Sequence, residues 1–370
     1  MSLFTDGADA EQDEARSRGR RIGWLLLAVT VFGVLGMAVL PSPYVIERPG
    51  PVFDTLGSVS VDGEDVPLIT IPTEPTYPTE GSLSLLTVNV LGNPETQPSW
   101  FEVAAAWLDP EQSVVPLESV FPPGLSTDDR REQSRVEMEN SQQEAVAAAL
   151  RAIGEPYESR LYVVETQEGG ASVGLLEADD VILSIEGEPV RDVTALRAAI
   201  ADNGTASPVV LGIERDGRER TVEVTPRLSE GEERVPVIGI LVAGDYEFPF
   251  EVDIELSNVG GPSAGMMFAL GIIDKLTPGS LAGGADVAGT GTIAADGTVG
   301  PIGGIVQKMY GAVDAGAEVF LAPAGNCDEV VGSIPDGLDV FRVATLDEAI
   351  GVLQTVADDG DRSALARCGS

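Results

Sequence analysis

The sequence predicts an α/β (α+β) protein that carries a small β-rich domain and one N-terminal transmembrane helix. Strand-like and helix-like segments alternate after about residue 235, which is typical of α/β folds. Residues 157–227 instead contain short strands separated by turns, and residues 22–40 form an uninterrupted apolar run. With 370 residues, 43% of them hydrophobic, the chain is long enough for two or three domains with proper cores.

The apolar run at 22–40 has the length of a membrane-spanning helix, because 19 residues match a bilayer core of about 30 Å. Arginines at positions 16, 18, 20 and 21 precede it and favour a cytoplasmic tail over residues 1–21. We therefore expect a single-pass cell-membrane protein in which everything after about residue 43 lies outside the cell. A cleaved signal peptide is the alternative, but the run ends in Leu40-Pro41-Ser42-Pro43, a poor cleavage site.

Residues 44–155 are expected to form the N-terminal part of the main domain. The segment 82–90 alternates in the manner of a strand, and 141–150 is strongly helical, ending near Gly154. Residues 126–129 can cap a helix.

Residues 156–228 are expected to form a separate β-rich domain. Strands are predicted at 161–164 and 180–185, and a hairpin is predicted about Asp216-Gly217. The segment 169–183 resembles a PDZ domain of the bacterial type, which implies a peptide-binding role. The sequence has Ala178-Asp179 where that family has Pro/Lys-Gly-Asp, and no Gly-Leu-Gly-Phe-like carboxylate loop is recognisable.

Residues 229–356 are expected to hold the catalytic part, followed by a flexible tail at 357–370. The pattern predicts strands at 251–256, 287–293 and 319–322, and helices at 262–276, 308–316 and 346–353.

Composition excludes several classes of chemistry. The chain has no histidine, so neither a Ser-His-Asp triad nor a His-Glu-x-x-His zinc site can form. A net charge of −38 repels nucleic acid, which we exclude as a partner. Two cysteines, Cys327 and Cys368, cannot build a disulfide framework or a four-cysteine zinc site. They form one bridge or remain free thiols, and we expect no metal and no cofactor.

Ser263 lies in a glycine-rich turn before an apolar helix. Pro262 suits a first helical position, and backbone N–H groups at the helix start favour negative charge, such as an acyl-transfer oxyanion. The same string also fits a simple helix-capping serine. Without histidine, a nucleophilic Ser263 needs a lysine as its base.

Lys308 is the candidate base, and it is one of only two lysines in the chain. It follows a second glycine-rich segment and has apolar neighbours, whose burial of the amine would lower its pKa toward neutrality. Arginine cannot serve, since it does not deprotonate. The other lysine, Lys275, ends a predicted helix, where a cation complements the dipole, and is interpreted as structural.

Three segments together resemble the proteolytic domain of Lon-type serine proteases: Gly260-Gly261-Pro262-Ser263-Ala264-Gly265-Met266, Ala288-Gly289-Thr290-Gly291-Thr292-Ile293, and Gly297-Thr298-Val299-Gly300-Pro301-Ile302-Gly303-Gly304-Ile305-Val306-Gln307-Lys308. The resemblance implies that Ser263 is the nucleophile, Lys308 the general base and Thr290 a support for the lysine. Gly261, Pro262 and Ala264 would support the serine. Many Lon proteases have Asp-Gly-Pro-Ser at this point, and Gly260 stands in the place of the aspartate, so that acidic neighbour is missing here.

The whole chain resembles membrane-anchored PDZ–Lon-like proteases of Gram-positive bacteria. Strand 82–90 and helix 138–150 look like the pair that precedes the serine motif in Lon domains, so the PDZ-like unit would be an insertion. Since the sequence has no Gly-x-x-x-x-Gly-Lys-Ser/Thr loop, we expect no ATP use. The resemblance also suggests a homo-oligomer, such as a hexameric ring.

These features favour an ATP-independent endopeptidase acting on protein or peptide substrates that the PDZ-like domain recruits at the cell membrane. The alternative is a catalytically inactive, membrane-tethered PDZ scaffold or adaptor. A signal-peptidase-like Ser-Lys enzyme is a third, weaker interpretation, because the serine precedes a helix and the lysine lies in a glycine-rich segment.

Overall fold

The computed structural model describes residues 24–31, 33, 36, 40–61, 63–121, 127–167, 169–190, 193–229, 234–256 and 259–369. Its strands are β1 (Tyr44–Asp54), β2 (Ser58–Val61), β3 (Glu64–Pro67), β4 (Ile69–Thr70), β5 (Ser82–Leu91), β6 (Ser113–Pro116), β7 (Glu158–Thr166), β8 (Val181–Ile185), β9 (Glu188–Pro189), β10 (Val209–Arg215), β11 (Arg218–Val224), β12 (Arg227–Leu228), β13 (Pro236–Val237), β14 (Ile240–Glu247), β15 (Asp253–Ile254), β16 (Asp286–Gly289), β17 (Thr292–Ile293), β18 (Val299–Gly300), β19 (Val319–Pro323) and β20 (Asp339–Val343). Its α-helices are α1 (Trp100–Ala106), α2 (Leu117–Val120), α3 (Thr127–Ile153), α4 (Val193–Asn203), α5 (Gly265–Leu276), α6 (Ile305–Asp314), α7 (Cys327–Val330) and α8 (Leu346–Ala357).

The backbone forms two compact units. One comprises the described residues within Met1–Arg48 and Asn89–Arg130, and the other those within Pro49–Val88 and Arg131–Ser370. In the smaller unit the start of β1 pairs antiparallel with β6, and the Tyr44 ring meets the Trp100 ring edge-on at 5.9 Å. Within the expected 44–155 segment, the stretch 89–130 therefore clusters with residues 44–48 and not with 49–88 or 131–155.

The larger unit contains a mainly parallel sheet around which the site is built. Its strands follow the order β20-β19-β16-β5-β1, and the β20–β19, β19–β16 and β16–β5 pairs are parallel. Helix α5 is apolar on all sides and its first ten residues are buried, as expected for a central core helix. The second half of α3 joins the same core through its small residues from Ala145 to Ala149.

A second sheet in this unit is the β-rich domain. Its order is β11-β10-β8-β7-β14, with β9 on β8, and it encloses its own core with α4. The predicted hairpin forms: β10 and β11 turn at Asp216 and Gly217, both with positive φ, as a tight hairpin requires. The predicted boundary at 228 is wrong, because β14 pairs with β7 along its whole length and extends this sheet to Glu247.

The transmembrane prediction is wrong. In the part of the chain that the structure describes, no helix has both the length and the apolar character needed to cross a bilayer. The expected anchor over 22–40 and the cell-membrane localisation with an outside catalytic domain are thus corrected. The predicted tail 1–21 and residues 22–23, 32, 34–35 and 37–39 lie outside the described residues.

The flexible tail expected at 357–370 is also corrected. Cys368 forms a disulfide with Cys327, which decides between the two states left open by the sequence. The Arg342 N–H donates to the Ala366 carbonyl at 2.9 Å, and the Arg367 guanidinium lies 4.7 Å from the centre of the Phe341 ring. Covalent and polar contacts therefore hold the tail against β20.

Removing the disulfide should destabilise this unit. The bridge closes a loop of 41 residues, so chain-entropy arguments predict that Cys368→Ser lowers the free energy of unfolding by about 3–4 kcal/mol. Urea denaturation of wild type and variant, both without reductant, measures the change. Dithiothreitol should lower wild type to the level of the variant and leave the variant unaffected; equal stability of the oxidised wild type and Cys368→Ser would contradict the prediction.

Candidate active site

The loop that carries Ser263 is held by α3. The Gly261 N–H donates to the Ser134 carbonyl at 2.9 Å, and the Ser141 hydroxyl donates to the Pro262 carbonyl at 2.9 Å. A Cβ on Gly260 would lie 2.6 Å from the Ser134 Cβ, and Gly261 has a φ of +88°. The two glycines therefore allow a contact and a turn that other residues would obstruct.

The helix after this loop begins later than predicted. It starts at Gly265, so Pro262 is not its first residue. The reason is a pairing with the strand end beside it: the Gly291 N–H donates to the Ser263 carbonyl at 2.9 Å, and the Met266 N–H donates to the Gly291 carbonyl at 3.1 Å. Ser263 consequently lies in a fixed turn, half-buried, two residues ahead of α5.

The same pairing explains why the predicted strand 287–293 is interrupted. It divides into β16 and β17, with Thr290 and Gly291 between them. Gly291 has a φ of +158°, and a Cβ there would lie 2.8 Å from a Val299 methyl carbon. The break presents Thr290 to the serine loop instead of to a neighbouring strand.

Lys308 comes from the first turn of α6. This helix begins at Ile305, three residues earlier than predicted, after Gly304 in the left-handed region with a φ of +66°. The Lys308 N–H donates to the Gly304 carbonyl at 3.1 Å. The side chain is 2% exposed, and Ile305 and Met309 beside it are fully buried.

The three predicted side chains meet. Lys308 Nζ lies 2.8 Å from Ser263 Oγ and 2.9 Å from Thr290 Oγ1. Thr290 is 1% exposed, and its hydroxyl donates to the Ser263 carbonyl at 3.0 Å. Because that hydrogen is already used, Thr290 Oγ1 accepts from the Lys308 amine, which leaves the amine lone pair free to face Ser263.

Burial lowers the pKa of Lys308 from 10.5 to about 7. The cause is desolvation of the charged form. Among the described residues Lys308 forms no ion pair that would offset it. Burial also lowers the pKa of Lys275, but the carboxylates of Asp54 and Asp274 oppose that shift. Lys308 is thus a neutral amine for much of the time near pH 7.

The remaining predicted supports lie around the serine. Ala264 is buried and caps α5, while Pro262 is exposed. Within the described part of the chain, the backbone N–H groups of Ser263 and Ala264 donate no hydrogen bond. These two N–H groups lie at the positive end of the α5 dipole, where they can donate hydrogen bonds to an oxyanion and stabilise its negative charge.

The β-rich domain also has a groove that was not predicted from the sequence. A cavity of about 720 Å³ lies between α4 and the segment 236–242, and Gly169, Gly170 and Ala171 also line it. Gly239 has a φ of +73°, and a Cβ there would lie 2.7 Å from the Gly170 Cα, so the two loops touch through glycine. The string Val237-Ile238-Gly239-Ile240, apolar around one glycine, was the signal that could have revealed the loop.

Comparison with known families identifies two domains in this chain. Residues 258–356 match the family model of the Lon protease (S16) C-terminal proteolytic domain, and residues 133–225 match that of the PDZ domain. The chain therefore contains a Lon-type proteolytic domain and a PDZ domain.

Individual relatives cover only parts of the chain. Lon protease 1 of Sorangium cellulosum is 40% identical over 93 residues, which are 24% of this chain and 11% of that protein. Lon protease 2 of Herpetosiphon aurantiacus is 29% identical over 168 residues, which are 44% of this chain and 20% of that protein. The PDZ domain of an SdrC-like protein from Listeria innocua is 20% identical, with a TM-score of 0.21, over 22% of this chain and 92% of that one.

Thr290 should act by orienting the amine of Lys308. We expect Thr290→Val, which keeps the shape and removes the hydroxyl, to lower kcat for peptide cleavage by roughly 10–100-fold, with little change in KM. Thr290→Ser retains the hydroxyl and should recover most of kcat. Steady-state kinetics of both variants test this, and equal losses in the two would show that the methyl group, not the hydroxyl, matters.

Proposed function

We propose that this protein is a serine endopeptidase in which Ser263 is the nucleophile and Lys308 the general base. The observation that carries the proposal is a buried lysine amine 2.8 Å from a serine hydroxyl, with no charged partner among the described residues. The match to a Lon protease proteolytic domain supports the same assignment.

The reaction would proceed through an acyl-enzyme. Neutral Lys308 takes the Ser263 proton as Oγ attacks the scissile carbonyl carbon, and the free N–H groups of Ser263 and Ala264 stabilise the oxyanion. The resulting ammonium then protonates the leaving amine, and the C–N bond breaks. A water molecule then attacks the ester carbonyl carbon while the same amine takes its proton. The ammonium returns that proton to Ser263 Oγ as the C–O bond breaks, which releases the product acid and restores the hydroxyl.

The protease domain is proposed to include segments on both sides of the PDZ domain. Strand β5 pairs with β16, and α3 shares the core of α5, so residues before 155 complete the fold around Ser263. A fragment of residues 229–370 alone should be insoluble or unfolded, as measured by circular dichroism and sedimentation. A folded and active fragment of this kind would contradict the insertion.

Substrates are proposed to be proteins or peptides with extended segments that the PDZ domain binds, cleaved without ATP. The groove beside α4 supports such docking. Assembly into a homo-oligomeric ring stays a prediction from the family resemblance.

A labelling experiment tests the proposal. A fluorophosphonate probe should modify Ser263, identified by mass spectrometry of the peptide, and the same preparation should degrade an unfolded protein without ATP. Both the labelling and the degradation rate should rise about tenfold from pH 6 to pH 8, because the neutral fraction of an amine with a pKa of about 7 does so. No labelling at Ser263 and no degradation would favour the inactive PDZ scaffold.

A further inference from the structure

A second cavity continues from the PDZ groove toward Ser263. It has a volume of about 440 Å³ and is lined by residues of α3, α4 and β14, by Pro262 and by residues between Thr292 and Gly300. Three residues, Val193, Arg197 and Val242, line both this cavity and the PDZ groove. The two cavities are therefore neighbours, and the second ends beside the serine loop.

Strand β14 runs along both cavities. It is an edge strand of the PDZ sheet, with β7 on one side and no other strand paired with it in the described residues. Residues 240–242 line the groove, while Ala243, Gly244 and Tyr246 line the second cavity. An edge strand presents unpaired N–H and C=O groups to which an extended peptide can add.

Glu144 of α3 lines the second cavity and connects β14 to the loop after β17. Its Oε1 accepts from the Tyr246 hydroxyl at 2.7 Å, and its Oε2 accepts from the Ala295 N–H. A Cβ on Gly244 would lie 2.8 Å from the Tyr246 ring, so this glycine lets the ring cross the strand to reach Glu144. One carboxylate thus connects the PDZ edge strand to the loop after β17.

PDZ domains bind extended peptides by adding a strand to an exposed sheet edge. We propose that in this chain the C-terminal segment of a substrate, bound in that mode along β14, places the cleaved bond at a constant distance from the substrate's free C-terminus. The peptide end lies at the loop 237–240, and the chain runs antiparallel to β14 into the second cavity. From Ile240 to Tyr246 is six residues, or about 20 Å, so the cleaved bond lies at least about seven residues before the end. The inference rests on the proposed function.

The path of the added strand, from the loop 237–240 along β14 to the second cavity, is called the track below. Arg197 gives this track a preference for particular substrate side chains. It is exposed at the junction of the cavities, and it forms no ion pair or hydrogen bond among the described residues. It faces the part of the peptide that lies near Val242, two to four residues before the C-terminus. An acidic side chain there gains a charge-assisted contact that a lysine side chain does not.

The experiment uses the whole chain and a peptide set read by mass spectrometry. The peptides share one C-terminal sequence, and one to four residues are inserted between it and a constant body. The cut should move through the body so that its distance from the C-terminus stays the same. Amidation of the C-terminus should lower kcat/KM at least tenfold. Cuts that stay at one body sequence whatever the insertion, at equal rates for acid and amide, would overturn the track.

Charge reversal provides the matched control. Arg197→Glu should invert a preference for aspartate over lysine three residues before the C-terminus, while Arg218→Glu, on exposed β11 at the other edge of the sheet, should keep it. An unchanged preference in Arg197→Glu would remove Arg197 from the track. Cleavage that depends on Ser263 but ignores the C-terminus refutes the track alone, whereas no Ser263-dependent cleavage of any peptide refutes the proposed function.

Discussion

Ser263→Ala is expected to lower kcat for peptide cleavage by roughly 10⁴-fold or more while the fold is retained. Loss of the nucleophile in a known serine protease has an effect of this size or larger. The serine side chain is half-buried and its hydroxyl contacts the Lys308 amine, so alanine removes little packing. Initial rates on a fluorogenic peptide, together with a thermal melt, measure both quantities.

Lys308→Ala should have a similar effect, and the double variant should be no worse than either single variant. The two groups act as one unit, since a serine hydroxyl without its base is a poor nucleophile. The controls are Ser60→Ala, at an exposed position on β2, and Lys275→Arg at the other lysine. Multiplicative losses in the double variant, or a Lys308→Ala enzyme with more than about a tenth of wild-type activity, would contradict the dyad.

Lys308→Met is expected to make the protein more stable, and by an amount that falls as the pH rises. The unfolded chain keeps the lysine proton up to a pKa of 10.5, whereas the folded chain releases it at about 7. Between these values the unfolded state binds more protons, so wild-type stability rises with pH. At 1.36 kcal/mol per unit, the variant should gain about 5 kcal/mol at pH 6 and about 2 kcal/mol at pH 9.

Urea titrations of wild type and variant at the two pH values measure this difference directly. Ser263→Ala is the control, because it keeps the buried lysine and should therefore keep the wild-type pH dependence. Equal gains for Lys308→Met at pH 6 and pH 9 would mean that the folded and unfolded lysines titrate alike. The result would remove the physical basis for a neutral amine.

The candidate site residues could be identified from the sequence because the composition leaves few options. Without histidine, a serine nucleophile needs a lysine, and the chain has only two. Lys275 could be set aside because it ends an apolar helix, and in the structure it lies in the last turn of α5. The hairpin at Asp216-Gly217 was equally predictable, since few residues other than Gly, Asn and Asp adopt positive φ at a tight turn.

The parts that could not be predicted depend on contacts between distant segments. The break at Thr290-Gly291 exists because that backbone pairs with the serine loop, and no local pattern encodes the pairing. Strand β14 was assigned to the wrong domain because its partner, β7, lies about 80 residues earlier in the chain. The role of Glu144 is likewise invisible in a run of helix formers, where a glutamate normally indicates a solvated face.

The titration of the Lys308 amine is the most direct test of the central claim. Since the chain has two lysines, selective ¹³Cε labelling gives two NMR signals, and Lys275→Arg assigns the one that remains. We predict a midpoint for Lys308 at about pH 7, moving upward when the protein is unfolded in urea. A midpoint near 10.5 in the folded protein would contradict the account, because the amine would then be charged whenever catalysis required it to accept a proton.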